Sequence, residues 1–192
     1  MNTRSTATRS IVMCALLSAM VLVFQYMGSF IKFGPFSVSL VLVPIVIGAA
    51  VCGTAAAAWL GFVFGLAVLI SGDAAAFMVV SPLGTVLTVL VKGTLCGLAA
   101  GLIYSALKKH SEYGAVICSA VICPIVNTGV FLIGCSLFFM NLINDWAKAA
   151  GFDGNTGLYM IVGLVGFNFL FEMLVNVLLS PIILRLLKIK NS

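Results

Sequence analysis

Chemistry in this chain begins with two charged residues that stand inside long apolar stretches, Lys92 and Glu172. An ion alone in hydrocarbon costs about 2.5–3.5 kcal/mol on insertion scales, so each must face a protein interior and have a partner. Each also belongs to a polar stripe. Ser81, Thr85, Thr88 and Lys92 share one helix face by their spacing of four, three and four. Asn168, Glu172 and Asn176 recur at intervals of four and share another, and Asn127-Thr128 adds a third polar pair. Amides, hydroxyls and one ion of each sign can hydrogen-bond helix to helix around a Lys92–Glu172 pair. They can equally line a pocket for a small polar solute. They are a poor set for catalysis or metal binding. The one histidine, His110, follows Lys108-Lys109, and Glu172 is the only carboxylate placed to activate a buried nucleophile. The sequence therefore predicts no enzyme, no metal site and no cofactor.

The elements that must hold these residues are membrane helices. Of 192 residues, 62% are apolar and 8% charged, against about 45–50% and about 25% in soluble domains. A bilayer core about 30 Å thick takes roughly 20 apolar residues per helix. The chain thus has room for about six spans and no hydrophilic stretch long enough to fold separately, which makes 1–192 one domain. The net charge of +5 sits in cations at span ends, where topology explains it better than nucleic acid does. The six cysteines lie in or beside apolar runs without CxxC spacing and read as small hydrophobes.

The first span is expected at about 11–27, uncleaved, followed by a break at Phe30 to Pro35 with a Gly34-Pro35 turn. Residues 37–71 would make a helix about 50 Å long, too long for one crossing. Cys52-Gly53-Thr54 offers a turn that divides it into spans at 37–52 and 54–71. Span four runs from Ser81-Pro82 to Leu107, span five covers 114–140, and span six covers 158–187, with a long loop at 141–157 before it. Lys92 and Glu172 then lie roughly 15 Å and roughly 20 Å below the same ends of their helices, at similar depth. With both termini inside, the cytoplasmic face carries Arg4, Arg9, Lys108, Lys109, Arg185, Lys188 and Lys190. The outer face carries only Lys32 and Lys148, beside Asp73, Asp145 and Asp153. This satisfies the positive-inside rule.

Gly93, Gly97 and Gly101 repeat at four, as do Gly61 and Gly65, and such stripes let helices approach closely. Ala15 and Ala19 form an AxxxA pair near the cytoplasmic end of span one, able to pack inside the bundle or against another membrane subunit. Tyr26, Trp59, Phe77, Phe131, Trp146 and Tyr159 lie on or near outer span ends; Trp146, in the long outer loop, is the expected lid residue.

Six short helices with cytoplasmic termini, the AxxxA pair and the outer loop before helix six resemble a substrate-binding (S) component of an energy-coupling-factor (ECF) vitamin transporter. Two local strings are similar to the group that holds folate, pantothenate and riboflavin S components. One is Phe33-Gly34-Pro35-Phe36-Ser37 leading into Leu42-Val43-Pro44-Ile45-Val46-Ile47-Gly48-Ala49. The other is Cys123-Pro124-Ile125-Val126-Asn127-Thr128-Gly129-Val130-Phe131. Cys52-Gly53-Thr54-Ala55-Ala56 departs from the Gly-Pro then Ala-Gly expected there.

The resemblance implies an all-α bundle of six transmembrane helices in the cell membrane. It implies a transmembrane coupling subunit and two cytoplasmic ATPases as partners, with Ala15 and Ala19 as the docking face for the first. It also implies high-affinity capture of a water-soluble vitamin in the outer half of the bundle. In keeping with this, the chain has no GxxxxGK[ST] phosphate loop. Lys92, Thr88, Asn127, Asn168, Glu172 and Trp146 are the expected substrate-binding residues. A carboxylate such as pantothenate or a folate suits a free Lys92; a neutral solute such as riboflavin suits a Lys92 neutralised by Glu172. The alternative is a stand-alone carrier or channel for a small polar metabolite, which inverted repeats would support; the two halves show no clear similarity.

Overall fold

A computed structural model describes residues 3–30, 32–33, 36–37 and 40–191. Helix α1 (Thr3–Ser29) leads through a two-residue antiparallel pairing, β1 (Lys32–Phe33) with β2 (Phe36–Ser37), into the short α2 (Leu42–Val51). Next come α3 (Thr54–Ser71), α4 (Ala75–Val80), α5 (Pro82–Leu107) and α6 (Glu112–Phe138). The chain ends with α7 (Met140–Ala149), the one-turn α8 (Thr156–Leu158), a π-helical segment at Tyr159–Leu164, and α9 (Gly166–Asn191). The turn expected at Gly34-Pro35 falls outside the described residues.

Among the described residues, five stretches are long and apolar enough to cross a membrane: Thr8–Ser29, Thr54–Ser71, Pro82–Leu107, Glu112–Phe138 and Thr156–Arg185. Their outward faces carry large exposed side chains such as Leu83, Leu137, Leu170 and Leu178, which lipid would cover. Within the stretch expected to span at 37–52 the described helix is the ten-residue α2, about 15 Å long and so half the hydrocarbon thickness. Leu42 to Ala49 are all buried. This helix is apolar on every side because it lies in the middle of the bundle. Its turn into α3 is where the sequence predicts it, with Gly53 at φ 95°, a backbone conformation that disfavours any Cβ.

Glycines set the tightest contact. On α3 and α5, Gly61 lies on the backbone of Gly93, Gly97 on that of Ala57, Gly65 on Val89 and Gly101 on Thr54. A β-carbon at Gly65 would stand 2.9 Å from the Val89 carbonyl oxygen, and one at Gly101 2.6 Å from Thr54 Cα. The pairing of 54 with 101 and 65 with 89 makes the two helices antiparallel. Ser119 Oγ donates to the Ala100 carbonyl at 3.0 Å, and Phe138 packs on Gly84, so α5 and α6 are antiparallel as well. Gln25 reaches Ser71, which aligns α1 with α3. One end of the bundle therefore gathers Thr54 and Lys108-Lys109-His110, and the other gathers Ser29, Gly72-Asp73 and Phe138. Hydroxyl caps begin both long inner helices: Ser81 Oγ accepts from Gly84 N on α5, and Ser111 Oγ accepts from Gly114 N on α6.

Two expectations need correction. The long loop at 141–157 contains α7, whose one face, Ile143 and Ala147 in line with Phe139, is buried while Asp145 and Lys148 are exposed. Amides and charges gave it a loop composition, but its apolar positions repeat at four. Span six is also not one regular helix. The π-helical segment interrupts it where Gly163 and Gly166 remove side chains; a β-carbon at Gly166 would stand 2.8 Å from the Ile161 carbonyl oxygen. Such segments recur at functional sites.

The glycine seam makes a paired prediction. Gly97→Leu should destabilise the detergent-solubilised protein by about 1–3 kcal/mol through overpacking, whereas Gly129→Leu, with open space around its Cα, should leave the thermal unfolding midpoint unchanged or higher. Equal effects at the two positions would mean that the α3–α5 approach does not control stability.

Candidate functional site

The polar stripes converge on one hollow. Its cavity volume is about 80 Å³, where one water needs about 10–15 Å³, so it has room for several. Gln25 of α1, Val68 of α3, Asp73 in the turn between α3 and α4, and Phe77 of α4 close one side. Val89 and Lys92 of α5 and Asn127, Thr128 and Phe131 of α6 form the middle. Leu164 and Val165 at the end of the π-helical segment, with Asn168, Phe169 and Glu172 one to two turns on, complete the wall. The hollow lies towards the Gly72-Asp73 end of the bundle, with Lys92 ten residues, about 15 Å, along α5 from Pro82.

Lys92 extends its ammonium between two rings, 5.5 Å from the Phe64 centroid and 5.2 Å from that of Phe131. Ring faces attract a desolvated cation by about 2 kcal/mol, which offsets some of its lost hydration. Glu172, only 6% exposed, lines the same hollow as Lys92. Asn127 and Asn168 are equally buried, and Oδ1 of each has no hydrogen-bond partner. A buried unsatisfied acceptor costs about 1–3 kcal/mol, and in native structures such a group calls for a water or ligand to explain it.

Not every expected residue reaches the wall. Thr88 is buried against Gly134 of α6, its Oγ1 unpartnered and outside the hollow. Thr85 donates to the Ser81 carbonyl at 2.8 Å, and Asn176 Nδ2 donates to that of Glu172 at 2.9 Å. These helix-internal bonds take both residues out of the polar lining. Trp146, half-buried on α7, also misses the wall; its ring meets Phe77 edge to face at 5.6 Å. Phe77 in turn contacts Phe131 at 5.8 Å and Phe139 at 4.8 Å. Of the aromatic residues near outer ends, Phe77 and Phe131 line the hollow, and Trp146 acts on it only by holding Phe77. Ala15 and Ala19 lie on the exposed face of α1 together with Ile11 and Leu16.

Two polar wall residues escaped the sequence reading, as did the apolar Val68, Val89, Leu164, Val165 and Phe169. Gln25, 2% exposed, donates through Nε2 to Ser71 Oγ at 3.3 Å and to the Asp73 carboxylate. Gln25 was the only amide in its apolar run, which was the available signal. Asp73 looked like a loop charge, and only the fold turns it inward.

Compared with known families, residues 9–184 match the model described as ECF transporter, substrate-specific component. No curated protein and no solved structure matches the chain.

The unpartnered carboxamides predict an inverted stability effect. Asn168→Leu, similar in volume and free of polar atoms, should leave the empty protein as stable as the parent or more stable by up to about 1–3 kcal/mol, read as the thermal midpoint without ligand. A clear fall would show that the Asn168 amide is already satisfied within the bundle.

Proposed function

The chain belongs to the family of ECF transporter substrate-specific components, and we propose that it is the high-affinity binding subunit of an ECF importer for a water-soluble vitamin. As a family member it is a multi-pass membrane protein and a transporter subunit, not an enzyme. The observation that carries the proposal is the pair of buried, unpartnered carboxamide oxygens on Asn127 and Asn168, which share one hollow with Lys92 and Glu172. A solute that donates hydrogen bonds there replaces water and satisfies both acceptors in a medium of low dielectric, where each bond counts for more than in water. Phe77, held by Phe139 and Trp146, covers the bound solute.

In this reading the Gly72-Asp73 end faces outward and both termini are cytoplasmic, with α2 serving as a short sixth span and the whole chain acting as one domain in the cell membrane. The charge bias supports it: Arg9, Lys108, Lys109 and Arg185 belong to one end, while Asp73, Asp145 and Asp153 belong to the other. The exposed Ala15 and Ala19 give α1 a low-relief strip on which the transmembrane coupling subunit docks, and two cytoplasmic ATPases drive release. The chain's own residues capture and orient the solute and exclude water from it.

Two experiments test this reading. In intact cells, a variant lacking the native cysteines and carrying Asp153→Cys should react with a membrane-impermeant maleimide, while His110→Cys should react only after permeabilisation; the reverse pattern overturns the orientation. Native mass spectrometry of the chain purified from its own cells should show a retained small molecule, which Asn127→Leu and Asn168→Leu should each reduce at least tenfold. Full retention in both variants would remove the carboxamides from the site.

A further inference from the structure

Gln25 is the only glutamine in the chain, and its side chain is held in one orientation on the wall of the hollow. Gly72, at φ 81°, turns the backbone between Ser71 and Asp73, and Gln25 Nε2 donates to the side chains of both. Neither partner tolerates the opposite arrangement. An ionised carboxylate only accepts hydrogen bonds, and the Ser71 hydroxyl gives its own proton to the Val68 carbonyl at 3.2 Å. Turning the Gln25 amide over would set its carbonyl oxygen against two acceptors, and would lose a charge-assisted bond to Asp73. The free end of the amide is therefore Oε1. It makes no hydrogen bond among the described residues, and unlike Oδ1 of Asn127 and of Asn168 it is not sealed from water. The two asparagines have no partner that selects one orientation, so each can turn to present N–H or C=O. Among the amides of the wall, Gln25 alone has its hydrogen-bonding sense fixed before anything binds, and a preorganised group loses less on binding than one that must first be ordered.

Resting on the reading of this hollow as the solute site, we infer that Gln25 binds the solute through Oε1 and that Asp73 is the positioning residue that aims it. The solute then carries a hydroxyl or an N–H on the part that lies beside α1, whatever its charge elsewhere. Asp73 acts through the Gln25 amide and needs no contact of its own with the solute.

A single glutamine makes this side chain directly observable. Labelled with carbon-13 and nitrogen-15 at glutamine only, the full chain in lipid nanodiscs gives one side-chain amide signal by NMR. The probe is the small molecule released from the chain purified from its own cells. Adding it should move the Gln25 Cδ resonance, and Gln25→Met, similar in length, should weaken its binding by about tenfold or more. Asp73→Asn, whose own amide can accept or donate, should move the Nε2 proton signals and weaken binding about threefold or more, with no further loss when added to Gln25→Met. A Cδ resonance unmoved at saturation, which is read on the parent chain and needs no variant to fold, would overturn the inference. So would binding by Gln25→Met within about twofold of the parent; either result leaves the receptor reading to its own test at Asn127 and Asn168. An equal loss from Asp73→Asn with and without Gln25 would overturn the positioning role. No molecule released from the purified chain would overturn both the inference and the reading it rests on.

Discussion

A carboxamide oxygen sealed from water without a partner is a standing cost, and of the three among the described residues, on Asn127, Asn168 and Asn176, the first two belong to the wall of one hollow. Leucine at either position would avoid that cost at similar volume. Their presence makes sense when the hollow is filled by something that donates to them, and the rest of the molecule can be understood as the frame that keeps those acceptors together. The frame is rigid where it needs to be. The α3–α5 seam brings backbone onto backbone through Gly61, Gly93 and Gly97, which fixes Lys92 relative to Phe64 and so fixes one wall of the hollow.

The opposite wall is built differently. Leu164 and Val165 come at the end of a π-helical segment, and Asn168 and Glu172 follow in regular helix. Where the wider turns of the segment end, the consecutive residues Leu164 and Val165 both reach the hollow, and Asn168, Phe169 and Glu172 continue the same wall along α9. Above them an edge-to-face aromatic cluster of Phe77, Phe131, Phe139 and Trp146 ties α4, α6 and α7 together. Phe77 and Trp146 sit on the short helices α4 and α7, while Lys92, Asn127, Asn168 and Glu172 sit on long ones.

Much of this was legible in the chain, and what was not has physical causes. The turn at Cys52-Gly53-Thr54 was visible because no single helix of that length fits a bilayer, and the glycine stripes because their spacing of four is a helix-packing signal. Lys92, Asn127, Asn168 and Glu172 stood out since ions and amides are costly in hydrocarbon. Helical period alone, however, could not tell a stripe that lines a hollow from one that bonds along its own helix, as Thr85 and Asn176 do. It placed Thr88 with Lys92, whereas the close approach of Gly134 puts Thr88 in a helix–helix contact. Asp73 and α7 were obscured for the same reason: charge near a span end suggests an outer loop, and only tertiary packing turns the Asp73 carboxylate towards Gln25 and buries Ile143 and Ala147.

The most direct test of the central claim is an experimental density map of the protein purified from its own membranes. A filled hollow is predicted, with non-protein density within hydrogen-bond distance of both the Asn127 and the Asn168 carboxamides and flanked by Phe77 and Phe131. A collapsed hollow, with those two amides bonded to each other or to neighbouring helices, would contradict it.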